Sequence, residues 1–223
     1  MAKIVIEKYK SFEKWKSEEV QNEFHITRLF QEPTFLADFL ANLPVLNEVE
    51  KKAIDELQAQ LLFMADVWNE YDMSILFVGP LFNIIKSQQI NYRTFFNHTL
   101  KGILNNKEIT GRIDGMLAKG RQIPQLPIFF IQEYKPESGP NGDPLGQLLI
   151  EMVTAQALNN EPEQAIYGCY IIGRNWFFVV LEKNKYAVSK AYDATQTTVY
   201  DIISILKKIK IMFEQKIGYV AET

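Results

Sequence analysis

The sequence predicts an α/β (α+β) protein built on one central mixed β-sheet flanked by helices. Three observations carry this. Apolar residues keep helical spacing before residue 87 and turn to β-branched and aromatic runs over 92–135. A helical stretch then separates this first group of strands from a second, and a long amphipathic segment follows. At 223 residues, against roughly 100–200 per domain, the chain reads as a single domain over 1–223: an N-terminal helical extension at 1–44, a core at 45–191 and a C-terminal helix at 195–217.

Along the chain, 11–40 predicts short helices broken near Pro33, with Phe12, Trp15, Val20, Phe24 and Phe30 as buried positions. Over 45–71, Val49, Ala53, Leu57, Leu61, Met64 and Trp68 follow the rhythm of one long amphipathic helix. A second apolar helical stretch covers 73–85, and Gly79-Pro80 should kink it or end its first half. The segments 92–104 and 109–118 flank the turn-forming Asn105-Asn106-Lys107 and predict an antiparallel hairpin, followed by a third strand at 127–135.

A loop rich in Pro and Gly at 136–146 reads either as a lid or as a plain connection. The helix expected over 145–158 turns Leu145, Leu148, Leu149, Met152 and Ala155 inward. Strands follow at 165–172, 176–181 and 186–191, with turns at Gly173-Arg174-Asn175 and Lys183-Asn184. The segment 195–217 buries Val199, Ile202, Ile203, Leu206, Ile209 and Phe213.

Composition excludes several classes. Hydrophobic residues at 47%, charged at 23% and aromatic at 13% argue against disorder, collagen and a coiled-coil rod. With 24 Lys and Arg against 27 Asp and Glu the net charge is −3, so any nucleic-acid surface must be local. A lone cysteine, Cys169, allows no internal disulfide and no thiolate metal cluster, and its apolar surroundings mark it as a small buried hydrophobe. Charges at Lys3, Glu7 and Lys8 leave no secretory apolar stretch, and 73–85 is too short to span a bilayer, so a cytoplasmic location without membrane passage is expected.

The strand PIFFIQEYK carries the chemistry. Period-two geometry places Phe129, Ile131, Glu133 and Lys135 on one face and Phe130, Gln132 and Tyr134 on the other. Both faces are apolar upstream, so the strand is central, and charges at its end require a partner, a metal or water. Glu-x-Lys alone is weak, since it recurs at Glu50/Lys52 and Glu214/Lys216 on helices. The preceding strand, GRIDGML, offers Asp114, which pairing would bring beside Glu133. Two carboxylates with a neighbouring lysine give hard oxygen ligands for Mg²⁺ and a cation beside its water; a structural ion pair fits the same residues. His25 and His98 lack ligand spacing.

In this order of strand, strand and helix, Asp114, Glu133 and Lys135 resemble the signature of the PD-(D/E)XK nuclease superfamily, in its RecB-like or restriction-subunit-like branch. The resemblance implies a restriction endonuclease-like αβββαβ core over 45–191. It also implies a Mg²⁺- (or Mn²⁺-) dependent nuclease, a hydrolase acting on the phosphodiester bonds of DNA. Asp114, Glu133 and the Tyr134 carbonyl would hold the metal, Glu70 would assist through water from the end of the long helix, and Lys135 would position or activate the water. Asn69 and Asp72 are rivals for the role of Glu70. Gln147, with Glu151 one turn on, matches the glutamine of RecB-like members; Ile113 stands where the family name has Pro. Lys101, Arg112, Lys119 and Arg121 are the candidate phosphate contacts, and Lys207, Lys208 and Lys210 form a solvated face.

The aromatic group Tyr167, Tyr170, Trp176, Phe177 and Phe178 reads as core before it reads as a base platform. Partners would be DNA, with RNA open, and a homodimer or partner subunit. Two alternatives come from another class. One is a catalytically inactive nuclease-fold module for binding or assembly. The other is an interaction protein docking through exposed Phe12, Trp15 and Phe24.

Overall fold

The computed structural model describes residues 7–137 and 141–220. The N-terminal segment contains β1 (Glu7–Lys8), a 3-10 turn (Phe12–Lys14), α1 (Ser17–Phe24), β2 (Thr27–Arg28) and α2 (Thr34–Leu40). It is followed by α3 (Glu48–Met64), α4 (Glu70–Met73), a π-turn (Ser74–Val78) and α5 (Gly79–Ile84). The remainder is β3 (Tyr92–Leu104), β4 (Lys107–Lys119), β5 (Gln125–Lys135), α6 (Pro144–Asn159), β6 (Ile166–Ile172), β7 (Asn175–Glu182), β8 (Lys185–Val188), β9 (Tyr192–Asp193) and α7 (Val199–Ile217).

Among the described residues the strands form one mixed sheet in the order β1-β4-β5-β6-β7-β8-β2, with β3 along the other edge of β4 and β9 beside β7. The long neighbours pair antiparallel except β5 and β6, which run parallel because α6 carries the chain back across the sheet. One face packs against α2, α3, the π-turn, α5 and α7; the other packs against α6, the 3-10 turn and α1. The expected α/β class with a central mixed sheet and flanking helices is therefore what the chain adopts.

Several local expectations are corrected. The helix expected over 45–71 stops at Met64. Asn69 accepts the Tyr71 and Asp72 amides and starts α4 afresh, a capping interaction that offsets the cost of breaking the helix. The inward stripe is Ile54, Leu61, Ala65 and Trp68, whereas Val49 is exposed. Gly79-Pro80 does not end the apolar stretch: the Gly79 amide donates to the Ser74 carbonyl across a π-turn, and Pro80 falls in the first turn of α5, where no N–H is needed. Phe30 is exposed, its ring beneath the Arg28 guanidinium. The last expected strand ends at Val188, and Ser189 takes over by accepting the Phe178 amide through its hydroxyl.

The strands bend where the charges lie. In β5, Leu117 pairs with Phe130 but Ala118 pairs with Ile128, so Phe129 is a bulged extra residue. Phe129 therefore joins Phe130 in the α7 layer instead of sharing a face with Ile131. In β4, Ile113 and Met116 both pack in the α6 layer despite opposite parity, so alternation breaks at Asp114–Gly115. On the paired strand β3, Phe95 and Leu100 show the same break around Asn97, whose φ of 54° is left-handed. Both strands thus switch faces at one level.

Helix α6 is wedged between the sheet and the N-terminal segment, so its residues from Leu145 to Ala155 are all buried. Asp143 is the joint: Oδ1 accepts the Gly146 amide at 2.9 Å and Oδ2 accepts the Ser17 amide at 2.7 Å, finishing the N-termini of two helices. Gly146 permits the approach, since a Cβ there would lie 2.5 Å from the Ser17 nitrogen and 2.6 Å from the Trp15 oxygen. Gly146→Ala should lower the unfolding free energy by about 2 kcal/mol in urea titrations, the cost of forcing backbone apart.

Among the described residues no helix is long and apolar enough to cross a membrane. Phe12 and Trp15 are buried, at 1% and 2% exposure, which removes the support for docking through them. Of the late aromatics, Trp176 and Phe178 are fully buried in the core, while Tyr167, Tyr170 and Phe177 are half-buried, Tyr170 stacked on Phe177. Cys169 is buried, and desolvation pushes its thiol well above the ordinary range.

Candidate active site

Pairing of β4 with β5 runs Leu117 to Phe130, Met116 to Ile131 and Gly115 to Gln132. Just beyond that last pair the Asp114 and Glu133 side chains meet, and charge on Asp114 opposes charge on Glu133. The Tyr134 amide donates to Asp114 Oδ2 at 2.8 Å, which anchors one acid to the backbone of the strand carrying the other. Glu133 is fully buried. One of its oxygens accepts from the Lys135 ammonium, and the other accepts from Gln147 Nε2 at 2.7 Å. Glu133 and Lys135 thus form an ion pair within the strand, next to a second acid that the pair does not neutralise.

The helix contributes more than expected. Gln147 and Glu151 are both buried on α6, where they turn toward the strand that carries Glu133. Gln147 Nε2 also approaches Glu151 Oε1 at 3.2 Å, while Glu151 Oε2 is buried with no hydrogen-bond partner.

Glu70 reaches the site from elsewhere than expected. It is the first residue of α4, not the end of the long helix, and it lines an open cleft of ≈ 450 Å³ together with Asp114. Its charge is felt by Asp114, Glu133 and Lys135. Its rivals are occupied: Asn69 caps α4, and Asp72 returns to the Asn69 amide.

Electrostatics follow from this crowding. Burial, reinforced by repulsion from Glu70, raises the Asp114 carboxyl to about 6, against the Tyr134 amide and Lys135, which lower it. Burial and the Asp114 charge raise Glu133 well above the carboxylate range. Glu151 is raised well above it too, by burial and then by Glu133. Burial works to lower Lys135, but Glu133 outweighs it and the ammonium is held above its ordinary value. The site carries more carboxylate than its lysine can balance.

The cations expected to meet phosphate do not gather here. Lys119 and Arg121 border a cleft with Ile217 and Tyr219; Lys119 is five residues from Asp114 on β4, about 17 Å at 3.4 Å per residue. Lys101 pairs with Glu108, while Arg112 is exposed two residues from Asp114. On α7, Lys207 pairs with Glu50, Lys208 donates to the Asp38 and Ala41 carbonyls, and Lys210 pairs with Glu214.

Among the described residues no three His, Cys, Asp or Glu side chains make a metal-binding group by themselves. The residues present nonetheless fit a hard divalent cation, since two carboxylates and a backbone carbonyl leave positions for solvent and substrate oxygens, as Mg²⁺ prefers. The crowding of carboxyls, which raises Asp114, Glu133 and Glu151 alike, and the orphaned Glu151 oxygen are the observations that support the fit. Of the loop at 136–146, Ser138, Gly139 and Pro140 lie outside the described residues. No family model matches the chain, and no curated protein matches it.

Proposed function

We propose that the protein is a Mg²⁺-dependent nuclease of the PD-(D/E)XK type, on a restriction endonuclease-like core, that hydrolyses phosphodiester bonds in DNA. The observation that carries this reading is the meeting of the Asp114 and Glu133 side chains from adjacent strands, with Lys135 at the end of the same strand as Glu133 and more acid than base around them. A protein that needed only a structural ion pair would gain nothing by crowding Asp114, Glu70 and Glu151 about it.

Asp114, Glu133 and the Tyr134 carbonyl would hold Mg²⁺, with Glu70 assisting through solvent. When bound, the ion would supply Lewis acidity to the phosphodiester and acidify a water. The remaining work falls to the chain. The Tyr134 amide fixes the Asp114 carboxylate, and Gln147 fixes the Glu133 carboxylate from α6. Lys135 positions or activates the attacking water and offsets charge as it develops on phosphorus. Water oxygen bonds to phosphorus, one P–O ester bond breaks, and the proton ends on the departing oxygen.

The test is cleavage of single-stranded, linear duplex and circular DNA in Mg²⁺ or Mn²⁺, alongside calorimetric metal binding. Lys135→Ala should lower the cleavage rate by roughly 10²- to 10⁴-fold and still bind the metal, because a proton donor is removed and no ligand is. A folded wild-type protein that neither cleaves nor binds either ion would leave the inactive binding module as the reading.

A further inference from the structure

The cleft beside Asp114 has a wall unlike a duplex-binding surface. Tyr71 stands 72% exposed and Ile75 50% exposed on it, one turn apart on the stretch where α4 passes into the π-turn. Phe96 also lines the cleft, its ring held edge-on against Phe82 at 5.7 Å. Asn97 is exposed at the level where β3 switches faces, its backbone left-handed, and it lines the same cleft. The charged residues lining it are Glu70 and Asp114, both acidic, and among the described residues no lysine or arginine lines it.

An aromatic platform, an apolar wall and a free amide suit a planar heterocycle whose edge can hydrogen-bond. They do not suit a run of duplex phosphates, which needs a track of cations. A base inside a duplex cannot enter such a cleft, whereas an unpaired one can. The cleft shares Asp114 with the site proposed above, so a base seated there would set its own phosphate next to the acids.

We infer that the cleft formed by Tyr71, Ile75, Phe96 and Asn97 seats an unpaired nucleobase, so that the substrate is single-stranded nucleic acid. The inference rests on the nuclease reading for the chemistry, and on the cleft alone for the base. Tyr71 is the stacking residue, Phe96 and Ile75 bound the slot, and Asn97 meets the base edge.

The probe is a fluorescent single-stranded 12-mer of deoxythymidine against a blunt duplex of equal length, with binding read by anisotropy in Ca²⁺ and cleavage read separately in Mg²⁺. Single strands should bind at least about tenfold tighter than duplex, and Tyr71→Ala should weaken single-strand binding by about tenfold, the usual worth of one stacked base. Tyr71→Phe, which keeps the ring, should restore binding to within about twofold by the same stacking argument. Tyr71 is exposed, so circular dichroism should match wild type in both variants. Equal affinity for duplex, or binding indifferent to Tyr71→Ala, overturns the inference even if the protein cleaves DNA. Tyr71-dependent binding of single strands without cleavage in Mg²⁺ upholds the base site and overturns the nuclease reading instead.

Discussion

Glu133→Gln should abolish metal-dependent cleavage while leaving the protein as stable as wild type or more so. Glu133 is fully buried between Lys135 and Gln147, and Asp114, Glu70 and Glu151 surround it with like charge. If the Glu133–Lys135 pair served only the fold, removing one partner would cost about 3–5 kcal/mol. In a crowded site the neutral amide instead relieves repulsion, and its oxygen can still accept from Lys135, so the metal-free protein should gain roughly 1 kcal/mol at pH 7.5. Activity should fall at least about 10³-fold, because a metal ligand worth several kcal/mol is removed. Urea unfolding and a cleavage assay on one preparation decide the matter. A fall of several kcal/mol in stability would return Glu133 to a purely structural role.

The second large effect is on pH. Asp114 sits at about 6 in the fold against an ordinary value of 3.8. The folded protein therefore holds this proton more tightly than the unfolded chain does. The stability it contributes is fully present below 3.8 and is lost as pH rises through about 6. The difference in unfolding free energy between wild type and Asp114→Asn isolates the contribution, because asparagine still offers an oxygen to the Tyr134 amide. That difference should move against wild type by on the order of 2 kcal/mol between pH 4 and pH 7.5. Mg²⁺ should reverse the trend, raising the melting temperature at pH 7.5 by about 2–4 °C per kcal/mol of binding and far less at pH 5, where the carboxyls keep their protons. A shift of equal size at both pH values would place the cation elsewhere.

The parts of this architecture that were legible in the sequence are those written in neighbouring residues. The β3–β4 hairpin was readable because aromatic and β-branched runs flank Asn105 and Asn106, two residues that tolerate the left-handed φ of 50° and 61° they adopt. The meeting of Asp114 with Glu133 was readable because Asp114 opens the apolar run of one strand and Glu133 closes that of the next, so antiparallel pairing brings the two to the same end. The bulge at Phe129 was not, since a strand that is apolar on both faces carries no alternation for an extra residue to break, and Ile128 and Phe129 are both buried. Nor was the burial of Gln147 and Glu151, because two polar positions on a helix give no sign that they turn toward a carboxylate on the sheet until that strand is in place. The early end of α3 was written in Asn69, but a capping residue inside a continuous apolar rhythm looks like any other polar position until its partners are seen.

Asp143 completes the helix starts of Ser17 and Gly146 with a single carboxylate, across 126 residues of chain. Neither helix can open at its first turn without stripping a partner from the other. The N-terminal segment and α6 are therefore one thermodynamic unit for local unfolding, although they are remote in sequence. Gln147 sits one residue beyond this joint, so the steadiness of the Glu133 carboxylate is set partly by how firmly the start of the chain is docked. Anything that grips or releases that segment would act on the acids from the far side of α6, with no contact to the cleft.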